Sequence, residues 1–294
     1  MKKIVATPHG RMVFSMLIFG TVGLFVRLIP LPSALIACVR GVLGALFICL
    51  FMKVCGQKPD LKAIRRNAPV LLLSATAMGF NWVLLFEAYR YTTVATATLC
   101  YYLAPVIVML LSPLVLHEKL TRRKAVCCMV SLLGMVFVSG VLEGAMPAAN
   151  ELAGIACGLG SAALYAGVIL LNKKLKDIEA RDRTLVQLGV SAAVMLIYTL
   201  LTEKQLSFSL SPVQAGALIT VGIVHTGIAY LSYFGALRDI KAQSAAILSY
   251  IDPVAAILLS WLILGEKLGL YGIMGAVLIL GSALMSEMKG KKNG

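Results

Sequence analysis

One acid stands in the middle of a strongly apolar part of this sequence. Ser249-Tyr250-Ile251-Asp252-Pro253 lies within a run from about Gln243 to Leu264. An ionisable side chain is expensive in hydrocarbon, so one that is retained there points to a bound cation, an amino group or a transferred proton. Asp252 is therefore the leading candidate for recognition of a cationic or amino group, or for proton coupling. Its plainer role would be to satisfy backbone groups loosened by Pro253, which lacks an N–H and cannot continue a regular helix. Ser249, in the same stretch, joins the candidate set.

Two more ionisable groups sit inside apolar runs. His225 is about twelve residues into its run, with Gly222, Ala229 and Ser232 at i−3, i+4 and i+7, a small polar face suited to lining a cavity. Imidazole titrates near neutrality, so His225 is a candidate proton relay with Asp252, and equally a satisfied packing residue. Arg40 lies about seven residues, roughly 10 Å, inside its run. A pair with Glu87, or snorkelling to the nearer interface, is the favoured expectation; the alternative is a bidentate grip on the carboxyl group of a solute. Asn81, Trp82, Tyr101, Tyr102, Tyr230, Tyr233 and Tyr250 supply amide and aromatic groups that stack on and orient organic solutes. Singly, each is ordinary helix-packing material.

The elements that must position these groups are membrane spans. Of 294 residues, 60% are hydrophobic and only 14% charged, with a mean hydropathy of +0.90, outside the range of soluble domains. Apolar runs of about 20 residues recur along the chain, each able to cross roughly 30 Å of hydrocarbon as a helix. The expected fold is an all-α integral membrane protein of ten transmembrane helices: 12–29, 33–54, 68–90, 94–116, a fifth ending near Leu142, then 152–172, 184–202, 213–237, 243–264 and 269–286. The ten-residue alternation of a membrane β-barrel is missing. The net charge of +14 is concentrated in every second loop, as the positive-inside rule requires. With both termini cytoplasmic, about 22 of the 27 basic residues face the cytoplasm; the charge reports topology and not nucleic acid. The loops Gly56 to Asn67, His117 to Arg123 and Lys173 to Arg183 are cytoplasmic on this reading, whereas Glu143 to Glu151, with no basic residue, faces out.

Seven cysteines lie in or at the ends of apolar runs without metal-ligand spacing and read as small core residues, with neither disulfide nor metal expected. No cofactor is expected, and no P-loop occurs. Met1 to Arg11 precedes an apolar run but shows no signal-peptide cleavage site, and the run reads as a retained first helix. Gly154-x-x-x-Gly158 suits close helix contact and is a weak sign of self-association, so the expected state is a monomer or a weak homodimer.

Shifting the chain on itself by 148 residues aligns Gly79–Leu120 with Gly227–Leu268 without a gap, and 16 of 42 positions are identical. Matches include Arg90/Arg238, Tyr102/Tyr250, Pro105/Pro253 and Glu118-Lys119-Leu120/Glu266-Lys267-Leu268. Shared leucine content does not produce such a set. The chain thus divides into a cytoplasmic N-terminus (1–11), a first five-helix repeat (12–142), a second (152–286) and a basic tail (287–294). Five is odd, so the second repeat is inverted, and inverted repeats place a solute site near the bilayer midplane at their interface. Pro105 and Pro253 are candidate helix breaks for gating. The recurrence of Glu118 and Glu266 at helix ends points to a structural role.

This layout, with Pro105 through Glu118-Lys119-Leu120 and Asp252-Pro253-Val254 through Gly265-Glu266-Lys267-Leu268, resembles the EamA family of the drug/metabolite transporter superfamily, over nearly the whole chain. The family usually carries Glu at the position of Asp252 and Gly at that of His117. The resemblance implies a multi-pass transporter of the cell membrane. The resulting expectation is a secondary transporter exporting a small metabolite, an amino acid or related compound, by uniport or proton antiport. An importer of an organic cation, a quaternary amine or polyamine, is the alternative, since Asp252 with aromatics suits a cation–π site. A membrane-embedded enzyme acting on a lipid-linked substrate is disfavoured by the lack of clustered acids.

Overall fold

The computed structural model describes residues 7–92, 94–138, 152–203, 209–264 and 269–288. The expected outer loop at Glu143 to Glu151, the ending Glu266-Lys267-Leu268 and the basic tail at Lys289, Lys291 and Lys292 lie outside the described residues. Thirteen α-helices and one π-helical stretch follow in order, and no strand occurs among the described residues. α1 is Pro8–Val26, α2 Ser33–Val54, α3 Leu61–Tyr91, α4 Val94–Tyr101, α5 Ala104–Leu116, α6 Arg122–Val138, α7 Leu152–Lys174 and α8 Ala180–Thr202. After α9, Pro212–Thr220, the π-helical stretch Val221–Ile228 leads into α10, Ala229–Asp239. α11, α12 and α13 are Ala242–Leu248, Ile251–Leu264 and Leu270–Glu287.

Among the described residues, eight helical stretches are long and apolar enough to cross a membrane, and Leu270–Ser286 is a shorter apolar one. Their surfaces are inverted relative to a soluble protein. Leu114 and Leu201 are 74% and 81% exposed, whereas Ser74, Gln187, Ser191, Thr226 and Gln243 are fully buried. Apolar side chains facing outward around a polar interior are what lipid as solvent selects. The chain is a multi-pass membrane protein.

Local signals set the helix ends. Thr7 accepts from Gly10 N–H at 3.1 Å, and Pro8 opens α1, so this helix starts before the expected Met12 and ends at Val26. At the close of α2, Gly56 takes a positive φ of 65° while Gln57 N–H reaches Met52 O at 2.8 Å, a glycine-requiring Schellman end. Asp60 caps α3 through Ala63 N–H, so the expected loop Gly56 to Asn67 is helical from Leu61. At 31 residues, α3 is about 46 Å long and projects beyond the hydrocarbon at that end. Likewise, the linker expected at Lys173 to Arg183 shrinks to the segment between Lys174 and Ala180. The cysteine expectation needs one correction: Cys38, Cys127 and Cys128 are buried, but Cys49 and Cys55 are exposed on the surface.

α3 packs chiefly on α7 and α8, α1 on α10 and α12, α2 on α8 and the π-helical stretch, and α6 on α13. Arg11, Lys173 and Arg238 meet at one end of the bundle, here called the basic end. Arg11 pairs with Asp239 at 2.8 Å, and Lys173 Nζ donates to the carbonyls of Leu237, Arg238 and Ile240, which close α10.

Candidate functional site

Two interrupted helices meet inside the bundle. α4 gives way to α5 at Tyr102 and Leu103, and α11 gives way to α12 at Ser249 and Tyr250. Pro105 and Pro253 cause both breaks, because each lacks an N–H and its ring crowds the carbonyl four residues earlier. The chain crosses the gaps on tighter bonds, Leu103 N–H to Cys100 O and Tyr250 N–H to Ile247 O. The breaks touch directly. Tyr102 and Tyr250 stack with centroids 6.2 Å apart, Tyr250 hydroxyl donates to Tyr102 O at 2.9 Å, and Tyr102 hydroxyl donates to Asp252 Oδ2 at 3.1 Å.

Beside this junction lies a cavity of about 470 Å³, within the size range of small-molecule sites. Asp252, Ser249, Ala104 and Pro105 come from the breaks; Arg40 and Trp82 come from α2 and α3; Tyr101, Tyr165 and Tyr230 complete an aromatic wall. Tyr101 stacks on Tyr165 at 5.4 Å, and Tyr230 meets Trp82 at 6.4 Å. The close approach of α1 to Asp252 depends on Gly20, where a Cβ would lie 2.6 Å from Ala255 Cβ and 2.8 Å from Asp252 O. Asp252 and Arg40 both line this space, yet no ion pair joins them among the described residues. The Asp252 carboxylate accepts from Tyr102 hydroxyl. Arg40 rests its guanidinium 4.5 Å over the Trp82 ring, and its buried Nε has no hydrogen-bond partner among the described residues. An acid and a guanidinium thus line one aromatic cavity with no ion pair between them among the described residues.

The structure therefore brings together Asp252, Arg40, Trp82, Tyr101, Tyr102, Tyr230, Ser249 and Pro105. Other candidates lie elsewhere. Asn81 donates to Ser161 O at 2.7 Å and to Ser161 Oγ at 2.8 Å, clamping α3 to α7 outside the cavity. Tyr250 is fully buried behind Tyr102, and Tyr233 is buried with its hydroxyl bonded to that of Tyr165. His225 does not line the cavity: its Nε2 is 2.7 Å from Thr21 Oγ1, its Nδ1 is 3.3 Å from Thr220 O, and its ring packs on Phe25. The face assigned to it is also absent, since Gly222 presses on Leu43 and Ser232 bonds Arg11 O. The favoured Arg40–Glu87 pair does not form. Glu87 instead binds Arg90 at 2.8 Å and accepts from Tyr198 hydroxyl. Gly154 and Gly158 turn inward, against Thr92 and Cys100, so this motif serves contact within the chain. Sequence reasoning missed Phe19, Tyr89, Thr98 and Tyr165. Tyr165 sits at i+7 from Gly158 and i+4 from Ser161, a helical face that could have identified it.

The cavity draws on the halves of α1, α2 and α3 farther from the basic end. At the basic end, a polar latch joins the two breaks' helices. Glu118 accepts from Ala242 N–H at 2.9 Å and from Gln243 N–H at 3.4 Å, capping α11, whose own N-cap Lys241 makes no side-chain cap bond. Gln243 Nε2 donates to Ser112 Oγ at 2.9 Å, and Lys124 Nζ to Ser244 Oγ at 2.9 Å. A carboxylate at a helix N-terminus is favoured by both the free N–H groups and the dipole. His117, in the left-handed region at φ 56°, turns the chain so that Glu118 reaches α11.

Similarity to known proteins bears on this arrangement. The model of the EamA-like transporter family matches twice, at residues 11–140 and 152–288. "Uncharacterized transporter YxxF" of Bacillus subtilis is 31% identical over 290 residues, covering 98% of this chain and 92% of that protein. An "Uncharacterized transporter" of Archaeoglobus fulgidus is 27% identical, with 95% of each covered, and "Protein RarD" of Escherichia coli is 23% identical over 86% of this chain and 84% of its own length. A solved structure described as a crystal structure of protein has the same fold, with a TM-score of 0.84 at 18% identity over 94% of this chain and 95% of that one. The chain belongs to the EamA-like transporter family.

Proposed function

We propose that this transporter carries a zwitterionic amino acid or a close relative, and exports it by alternating access between two inverted five-helix halves. The observation that carries the proposal is the pairing of Asp252 and Arg40 in one aromatic-walled cavity without an ion pair between them. A carboxylate suits an ammonium group and a guanidinium suits a carboxylate bidentately, so a zwitterion neutralises both groups. An organic cation alone would neutralise Asp252 but leave Arg40 facing it, which counts against that alternative. Aromatic walls add a surface for an apolar side chain.

The alternating-access part rests on the 148-residue repeat, on the double family match and on the contacts between helices. α3 packs on α7 as α10 packs on α1; α4 and α5 pack on α7 as α12 packs on α1. Exchanging the halves returns the same pairings, as a pseudo-two-fold arrangement requires. With the basic end cytoplasmic by the positive-inside rule, the Glu118 latch seals the cytoplasmic side while the cavity sits nearer the outside. In the opposite state the latch opens, and Pro105 and Pro253 supply the backbone joints. Asp252 is also the group we assign to proton coupling, if transport is coupled. His225, bonded to Thr21 and Thr220, is left out of that role.

The test is flux in proteoliposomes, with the twenty L-amino acids supplied as a radiolabelled mixture. Asp252→Asn is expected to reduce flux to the protein-free background while the purified variant remains monodisperse. Wild-type rates in that variant would overturn the assignment.

A further inference from the structure

A second cavity of about 410 Å³ lies at the end of the bundle away from the basic loops. Ser33, Phe86, Tyr89, Arg90, Tyr198 and Glu203 are among its walls. Tyr89 also lines the central cavity, so one side chain borders both spaces.

This chamber also carries an acid and a guanidinium, Glu203 and Arg90, here with Arg90 paired to Glu87. The Glu203 backbone N–H bonds Thr199 O at 2.9 Å, and its carboxylate takes part in no ion pair among the described residues. Glu87 is already bound by Arg90 Nη1 and Tyr198 hydroxyl, and Arg90 also interacts with Tyr198; with five N–H donors, its guanidinium retains capacity for another acceptor. The first turn of α2 opens into the same space at Ser33 and Ala34, and its N-cap Pro32 supplies no side-chain cap. Hence a carboxylate without an ion pair among the described residues shares this chamber with a guanidinium and the positive end of a helix. Arg90 is 61% exposed at its side chain, so solvent screens these charges more strongly than those beside Trp82.

We propose that this outer chamber is a second, weaker binding site for the same zwitterionic solute, with Glu203 holding the ammonium group and Arg90 the carboxylate, and that Tyr89 is the partition between the two sites. The inference rests on the amino-acid reading of the central cavity. It gives the solute a staged path: central site, displacement of Tyr89, outer chamber, bulk solvent.

Binding stoichiometry tests it. Each of the twenty L-amino acids is screened by equilibrium dialysis against the purified full-length protein, and the tightest binder is carried forward as the probe. Two equivalents are expected to bind the wild type, with affinities at least tenfold apart. Glu203→Gln and Arg90→Gln each remove the weak equivalent and leave the tight one unchanged, whereas Asp252→Asn removes the tight one alone. Tyr89→Ala keeps both equivalents and speeds release from the tight site at least tenfold. A single equivalent in the wild type, or two equivalents that survive both Glu203→Gln and Arg90→Gln, would overturn the outer site and leave the central one standing. An unchanged release rate in Tyr89→Ala would overturn the partition. Failure of all twenty amino acids to bind the wild type would instead overturn the central reading, and this one with it.

Discussion

The two helix breaks share a backbone and differ in one side chain. Each has a tyrosine three residues before its proline and a tightened turn between its two half-helices. Immediately before the proline, the first break has Ala104 and the second Asp252, and both line the central cavity. The hydroxyls are unequal as well. Tyr102 spends its proton on the Asp252 carboxylate, while Tyr250 spends its own on Tyr102 O. What repeats is therefore the helix break; what does not repeat is the acidic side chain.

Moving the charge breaks the comparison most severely. Asp252→Ala is expected to lower flux at least a hundredfold, and adding Ala104→Asp in the same chain restores none of it, because the only tyrosine matched to that side already donates elsewhere. Recovery of flux in the double variant would show that the two breaks are interchangeable. Next comes Tyr102→Phe, which removes the donor to Asp252. A hydrogen bond to a charged group contributes about 1.5–3 kcal/mol, so solute affinity measured by dialysis should fall roughly tenfold or more. Tyr250→Phe deletes a neutral bond worth about 1 kcal/mol; it lowers the thermal midpoint in detergent and leaves affinity unchanged. The smallest effect is expected at His117. Its left-handed conformation suits glycine, so His117→Gly relieves strain under the Glu118 latch and changes stability by about 1 kcal/mol or less.

Much of this was legible in the chain because its signals are local. Hydropathy located the apolar helices, the paired prolines located the breaks, and Asp252 was conspicuous as a charge in hydrocarbon. What the sequence does not contain is azimuth. Arg40 and Glu87 lie on consecutive spans, yet the two helices turn so that Arg40 meets Trp82 and Glu87 meets Arg90. The same gap hides that the Asn81 amide and the Tyr250 hydroxyl bond between helices. At His225 the expected α-helical face runs through a π-helical stretch, where wider turns rotate every following side chain away from its expected direction. Tyr89 and Tyr165 were overlooked because a tyrosine near a span end or on a small-residue face reads as packing until its neighbours are known.

The central claim is that Asp252 and Arg40 divide one zwitterion between them. It is tested most directly by a crossed binding measurement using the tightest-binding amino acid, its carboxamide lacking the acid and its des-amino acid lacking the amine. These three ligands are dialysed against wild type, Asp252→Asn and Arg40→Met. Asp252→Asn is predicted to weaken the amino acid and the carboxamide while sparing the des-amino acid, and Arg40→Met to weaken the amino acid and the des-amino acid while sparing the carboxamide. Equal losses for all three ligands in either variant, or no loss in either, would contradict the account.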